Sequence, residues 1–144
     1  MHTRQRLFQA RTTPSRLTPF ERIGGIMITV YHNPRCSKSR EALALVEGSP
    51  AVGGGDLQII EYLKTPPTLA DLKRLHNLLG VPVREMIRSN ETEYTELGLA
   101  DAAMTDDALL AAVAAHPKLL QRPIVVNGDK AVIARPPDLA SQVL

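Results

Sequence analysis

The sequence predicts an α/β domain with a mixed four-stranded sheet and an inserted helical subdomain. Three observations carry this. A β-branched and aromatic run at 28–32, Ile-Thr-Val-Tyr-His, opens the body of the chain and leads into a helical stretch. A second short β-rich run, at 57–62, is followed only by helical patterns until the chain nears its end. Two apolar runs then flank Asn127-Gly128-Asp129, and Asn-Gly between apolar runs is a strong hairpin signal.

The elements follow in order. Asn33 and Pro34 break the first strand, and Ser37 or Ser39 is expected to cap a helix through Glu41, Leu43, Leu45 and Val46 that ends near Gly48. The glycines Gly53, Gly54 and Gly55 form a loop into the second strand. After Thr65-Pro66-Pro67, Thr68 is the expected N-cap of a helix with Leu72, Leu75 and Leu79 on its apolar face, stopped by Gly80. Helical pieces are expected at 83–88 and 94–97, and a longer helix after the Thr105 cap runs through Leu109, Leu110 and Val113 to Ala115. Ile124, Val125 and Val126 form the third strand and Ala131, Val132 and Ile133 the fourth, with a short last helix opening at Pro136-Pro137. The order β-α-β, helices, β-β-α is that of a thioredoxin-like fold: a parallel pair joined to a hairpin.

Composition and charge bound the function. The 144 residues are 44% hydrophobic and 22% charged, ordinary for one compact domain. The net charge of +2 is unevenly placed: residues 1–26 hold five arginines against Glu21, giving +4, and residues 27–144 carry −2. Two domain-level segments result, a basic extension at 1–26 and a mildly acidic domain at 27–144. With only Tyr31, Tyr62 and Tyr94 as aromatics in that domain, a single-stranded nucleic-acid binder that stacks bases on aromatic platforms fits poorly, and no nucleic-acid partner is expected. No run approaches the roughly 18 apolar residues of a membrane helix, so no membrane partner is expected. Residues 1–26 lack periodicity and read as disordered. An organellar transit peptide is one alternative, being Arg-rich and acid-poor. An artefact of start-site assignment is the favoured one: the codons of Gly24 and Gly25 can read GGAGG, a ribosome-binding sequence, just before Met27.

The chemistry centres on Cys36, the single cysteine, which excludes a disulfide framework and fits a reducing, cytoplasmic setting. Free cysteines are often inert core residues, but Cys36 sits among Asn33, Pro34, Arg35, Ser37, Lys38 and Ser39, at a strand-to-helix junction. An unperturbed thiol, with a pKa of about 8.5, is only about 3% ionised at pH 7, so reactivity requires surroundings that favour thiolate. Free helix N–H groups, the positive end of the helix dipole and the cations Arg35, Lys38 and Arg40 are expected to supply them. The same junction suits a tetrahedral oxyanion such as phosphate or arsenate. A Cys-x5-Arg phosphate loop is excluded by Ala42, and a Cys-x-x-Cys dithiol by Ser39, so redox turnover requires an external thiol. Ser39 remains able to donate a hydrogen bond to the thiolate. His32, at the end of the first strand, reads equally as a group acting near Cys36 or as a satisfied strand-end histidine. Arg88, and above all Arg122 and Arg135 at strand ends, suit bidentate oxyanion recognition. His76 and His116 lack metal-ligand spacing, so no metal is expected.

From about Met27 to Leu144 the chain resembles the glutaredoxin-coupled arsenate reductase family. The resemblance rests on Tyr31-His32-Asn33-Pro34, Cys36 and Ser39-Arg40; on Tyr62-Leu63 and Thr65-Pro66-Pro67-Thr68; and on Tyr94 with Glu96-Leu97-Gly98-Leu99. Thr105-Asp106-Asp107, His116-Pro117 and Arg122-Pro123-Ile124-Val125 complete it. It departs at Ser37-Lys38, where well-known members often carry Gly-Thr. The resemblance implies Cys36 as nucleophile, Arg88, Arg122 and Arg135 as oxyanion-binding arginines, and a cis bond at Arg122-Pro123. It further implies arsenate as substrate, no bound cofactor, glutathione as co-substrate and glutaredoxin as partner. Two rivals stand beside it. One is an Spx-type regulator that binds RNA polymerase, whose usual Cys-x-x-Cys switch Ser39 removes; the other is a glutathione-dependent thiol oxidoreductase with another substrate.

Overall fold

A computed structural model describes residues 27–52 and 56–144. The expectations for residues 1–26 and for the loop at 53–55 lie outside the described residues. Four strands, β1 (Met27–His32), β2 (Asp56–Glu61), β3 (Ile124–Asn127) and β4 (Lys130–Ile133), form one sheet in the order β2-β1-β3-β4. β1 runs parallel to β2 and antiparallel to β3, and β3 is antiparallel to β4. This is the mixed thioredoxin-like sheet that the element order implies.

β1 is central, and the β-branched and aromatic side chains that make it a strand alternate between two cores. Ile28 and Val30 face one side and Tyr31 the other, while on β3 Val125 opposes Ile124 and Val126 in the same way. On the first side lies α1 (Ser37–Glu47), which buries Ser39, Ala42 and Val46, together with a 3-10 turn over Pro137–Val143 that buries Ala140 and Val143. On the second side lies the insertion between β2 and β3: α2 (Leu69–Leu79), α3 (Thr92–Glu96) and α4 (Asp106–Ala115). Leu72, Leu75, Leu109 and Val113 of that insertion are fully or almost fully buried, each worth about 1.5–3 kcal/mol of apolar transfer.

Local chemistry sets the boundaries. Thr68 and Asp71 form a reciprocal capping box: the Asp71 N–H donates to Thr68 Oγ1 at 3.1 Å and the Thr68 N–H to Asp71 Oδ2 at 3.2 Å. Gly80 ends α2 in the left-handed conformation, φ 66°, which its missing Cβ permits. Thr105 caps α4 by accepting from the Ala108 N–H at 3.1 Å.

Four boundaries differ from the sequence reading. Helix α1 begins at Ser37 with Cys36 as its N-cap, so neither Ser37 nor Ser39 caps it. The hairpin loop is Gly128-Asp129, because Asn127 is still paired, with Lys130; the positive φ of 62° falls on Gly128, the first loop residue, as a type II′ turn requires. The piece at 83–88 is a single 3-10 turn, Val83–Met86. Ile87 then turns extended to bridge Leu120, and that tertiary pairing overrides the local helical pattern. The last helix is likewise 3-10 rather than α.

Candidate active site

The strand registers, carried past the strand ends, build the site. The parallel pairing of His32 with Glu61 sets Asn33 beside Tyr62, and the antiparallel pairing of Tyr31 with Ile124 sets Asn33 beside Arg122. The pairing of Ile124 with Ile133 sets Arg122 beside Arg135, and two bonds hold this last step in place. Ala134 N–H donates to Pro123 O at 2.8 Å, and Arg135 Nη1 donates to Arg122 O at 3.1 Å. Tyr62, Asn33, Arg122 and Arg135 thus stand in a row across one end of the sheet. Arg122-Pro123 and Arg135-Pro136 are both cis. The first matches the implication of the resemblance; the second has no forerunner in the sequence reading.

Cys36 lies over this row because a tight turn brings the chain back from β1. Its N–H donates to Asn33 O at 3.0 Å, and the Arg35 N–H donates to Asn33 Oδ1 at 3.0 Å. At the N-cap, Cys36 occupies the place where a serine or aspartate oxygen would accept from the second and third helical N–H groups. As a thiolate it is the anion those groups favour. Burial opposes ionisation and is the largest single influence on this thiol. The Ser39 N–H, the Arg122 guanidinium by hydrogen bond and by charge, and the Lys38 N–H together outweigh it, and the thiol pKa falls below its ordinary value. The acting cation is therefore Arg122. Arg35, Lys38 and Arg40, expected from the sequence to do this, are exposed to screening solvent, and Arg40 Nη1 is turned to Pro34 O at 2.9 Å.

His32 and Ser39 form a separate buried unit beneath the loop. Ser39 Oγ shares a 2.7 Å hydrogen bond with His32 Nδ1 and accepts from the Asn33 N–H at 3.0 Å. Ser39 thus meets the thiol through its main-chain N–H, while its hydroxyl joins β1 to the first turn of α1. Burial, with help from Arg40, lowers the His32 pKa against the opposing pull of Glu61 and Glu47, so the ring is neutral at neutral pH.

Arg88 reaches the same end of the sheet from the insertion. The Arg88 N–H donates to Leu119 O at 2.7 Å and the Gln121 N–H to Met86 O at 2.8 Å, so the segments 86–88 and 119–121 run side by side up to Arg122. The Arg88 side chain, 13% exposed, is held by Glu91 Oε2 at 3.1 Å and Gln121 Oε1 at 3.3 Å. Its charge, with that of Arg122, bears on the Tyr62 hydroxyl, whose pKa is nonetheless raised because burial dominates. Arg135 is exposed at the other end of the row.

The structure therefore brings Arg122 to Cys36, with Arg88 acting on Tyr62 and Arg135 held on Arg122 O at the same end of the sheet, and His32 and Ser39 below. The sequence reading assigned no role to Tyr62, Gln121 or Glu91. A signal for Tyr62 existed: parallel strands share an exit, so the residue ending β2 must stand beside the loop that leaves β1. Gln121 and Glu91 gave none, because their role depends on a pairing across the insertion. Among the described residues, no group of three or more His, Cys, Asp or Glu is placed to hold a metal ion, and no helix is long and apolar enough to cross a membrane. What the arrangement offers is a thiol biased toward thiolate beside a guanidinium at a helix N-terminus, a setting suited to tetrahedral oxyanions.

Comparison with known proteins gives the chain its relatives. The chain is 46% identical over 118 residues to the arsenate reductase of Neisseria meningitidis serogroup A, covering 81% of this chain and 97% of that protein. It is 41% identical over 117 residues to the arsenate reductase of Escherichia coli K12, covering 81% and 80%. The solved structure of an arsenate reductase from Vibrio cholerae superposes with a TM-score of 0.76 at 48% identity, covering 84% of this chain and all of that one. The ArsC family profile matches residues 31–143, and the chain belongs to the ArsC family.

Proposed function

We propose that the protein reduces arsenate to arsenite in the cytoplasm, using glutathione and glutaredoxin. The observation that carries this reading is the Cys36 thiol at the α1 N-cap with the Arg122 guanidinium beside it. The arsenate reductases to which the chain is similar support the choice of oxyanion. The Cys36 thiolate attacks arsenic, forming an S–As bond while one oxygen leaves as water after protonation. Arg122, Arg88 and Arg135 balance the charge on the remaining oxygens. Glutathione adds to arsenic through its thiol with loss of a second water. A glutaredoxin thiol then attacks the glutathione sulfur, forming a mixed disulfide, and the electron pair of the broken S–As bond stays on arsenic, which becomes As(III). Water displaces arsenite from Cys36 and restores the thiol. His32 and Ser39 are positioning residues that hold the first turn of α1 against β1. A chain with a single cysteine needs this external reductant, and a reducing cytoplasm supplies it.

Steady-state assay with arsenate, glutathione and glutaredoxin tests the reading. Cys36→Ser abolishes reduction, and Arg122→Ala or Arg135→Ala lowers it sharply. Activity that survives in the Cys36 variant refutes the mechanism.

A further inference from the structure

The Tyr62 hydroxyl has no part in the scheme above, and its setting is unusual for a core tyrosine. The side chain is fully buried, 0% exposed, yet its hydroxyl makes no close hydrogen bond, although the Arg122 and Asn33 side chains lie near enough to favour its ionised form. Arg122 Nε, one place beyond Asn33 in the row across the sheet end, is also buried without a partner. Buried polar groups are almost always paired, so two neighbouring donors that make no close hydrogen bond are each able to donate to a shared acceptor. Arg122 Nε–H can only donate, so the shared partner must accept. A phenol can donate to the same atom. Arg122 is the cation acting on the Cys36 thiol, so this place adjoins the nucleophile. Tyr31 is the informative contrast: its hydroxyl is also buried and unpaired, but the charges bearing on it are Asp71 and Arg74, from α2, and not Arg122.

We propose that the Tyr62 hydroxyl and Arg122 Nε–H form a two-donor seat for one oxygen of the tetrahedral oxyanion attacked by Cys36. Tyr62 is then a substrate-contacting residue that helps distinguish an oxyanion from a plain disulfide substrate. Burial keeps the phenol protonated and therefore a donor. The proposal deepens the reading of Cys36 as an arsenate-directed nucleophile and rests on it.

Protection of Cys36 from iodoacetamide, with arsenate or inorganic phosphate as protectant, tests the seat without requiring turnover. In Tyr62→Phe the alkylation rate without oxyanion stays within about twofold of the parent, because the Ser39, Lys38 and Arg122 donors to sulfur remain. The arsenate concentration giving half-protection rises roughly tenfold or more, the scale of one hydrogen bond to a charged group. The melting temperature holds or rises, since Phe keeps the ring and removes an unpaired hydroxyl. An unchanged half-protection concentration overturns the seat, as does a parent protein that arsenate does not protect. A lowered melting temperature also overturns it, by showing a structural partner for the hydroxyl. Parallel reduction assays separate the two ideas. Protection that depends on Tyr62 without reduction removes the enzyme reading and keeps the seat; reduction with unchanged protection removes only the seat.

Discussion

The two faces of the sheet are packed with side chains of different size. Against α1 and the C-terminal 3-10 turn lie Ile28, Val30, Ala42, Val46, Val125, Ala134, Ala140 and Val143, mostly small. Against the insertion lie Tyr31, Tyr62, Met86 and a series of leucines that includes Leu72, Leu75, Leu109 and Leu119. Small residues let α1 approach the strands closely, and that approach fixes Cys36 over the exits of β1 and β3. The larger face holds more apolar volume, and Arg88, which it contributes to this end of the sheet, arrives through the pairing of 86–88 with 119–121. Site geometry therefore depends chiefly on the thin face, and stability on the thick one.

Leu75→Ala is the strongest way to break that division. Leu75 is 0% exposed in the thick core, and its truncation leaves a cavity costing about 2–5 kcal/mol, read by denaturant unfolding. The alkylation rate of Cys36 in the folded protein stays at the parent value. A large change in that rate shows that the insertion helices, too, set the geometry of the thiol.

Ala42→Leu makes the converse test. Ala42 is fully buried between α1 and the sheet, so added methylenes must lift the helix, at about 1–3 kcal/mol. The stability loss is smaller than for Leu75→Ala. The Cys36 pKa, read from the pH dependence of alkylation, rises as the sulfur draws away from Arg122. An unmoved pKa means that the loop, and not the helix seat, holds the thiol.

Particular residues show what was readable beforehand. Thr68 was legible as a cap because the backbone N–H it accepts from lies only three residues on; its reciprocal partner Asp71 was not read. The strands were legible because apolar β-branched runs bounded by Pro, Asn and Gly admit few other structures. The N-cap role of Cys36 was not, because a thiol competes poorly with nearby serines as a capping group until it ionises. Nor was Arg84, which donates to Tyr94 Oη at 3.2 Å and to the carbonyls of Leu99 and Asp101 at 2.7 Å each, tying down the loop after α3. Its partners lie 10 to 17 residues away, and only tertiary packing selects them. The same limit hid which cation reaches the thiol: Lys38 and Arg40 are neighbours of Cys36 in sequence, whereas Arg122 becomes one through strand register.

Arg122→Ala sharpens this point with a gentler readout than activity. The Cys36 pKa lies below that of an ordinary thiol, so in the parent protein thiolate persists as pH falls below the usual range, and alkylation persists with it. Removing the guanidinium moves the midpoint of that profile upward, while the Ser39 and Lys38 N–H groups keep part of the effect. Arg40→Ala leaves the midpoint in place. A larger rise with Arg40→Ala than with Arg122→Ala contradicts the assignment of the acting cation.

The smallest expected effect concerns the joint between β1 and α1. The folded-state pKa of His32 lies below its unfolded value of about 6.5, because burial disfavours the charged ring. As pH falls below about 6.5 the unfolded chain takes up the proton first, so the contribution of His32 to stability is full above that pH and lost as pH drops through the folded-state pKa. His32→Gln retains an amide able to bond Ser39 Oγ but does not titrate there. Stability measured by denaturant midpoint at successive pH values should fall less steeply on the acid side in this variant than in the parent. Equal slopes assign the acid sensitivity to other groups and leave His32 a packing residue of the thin face.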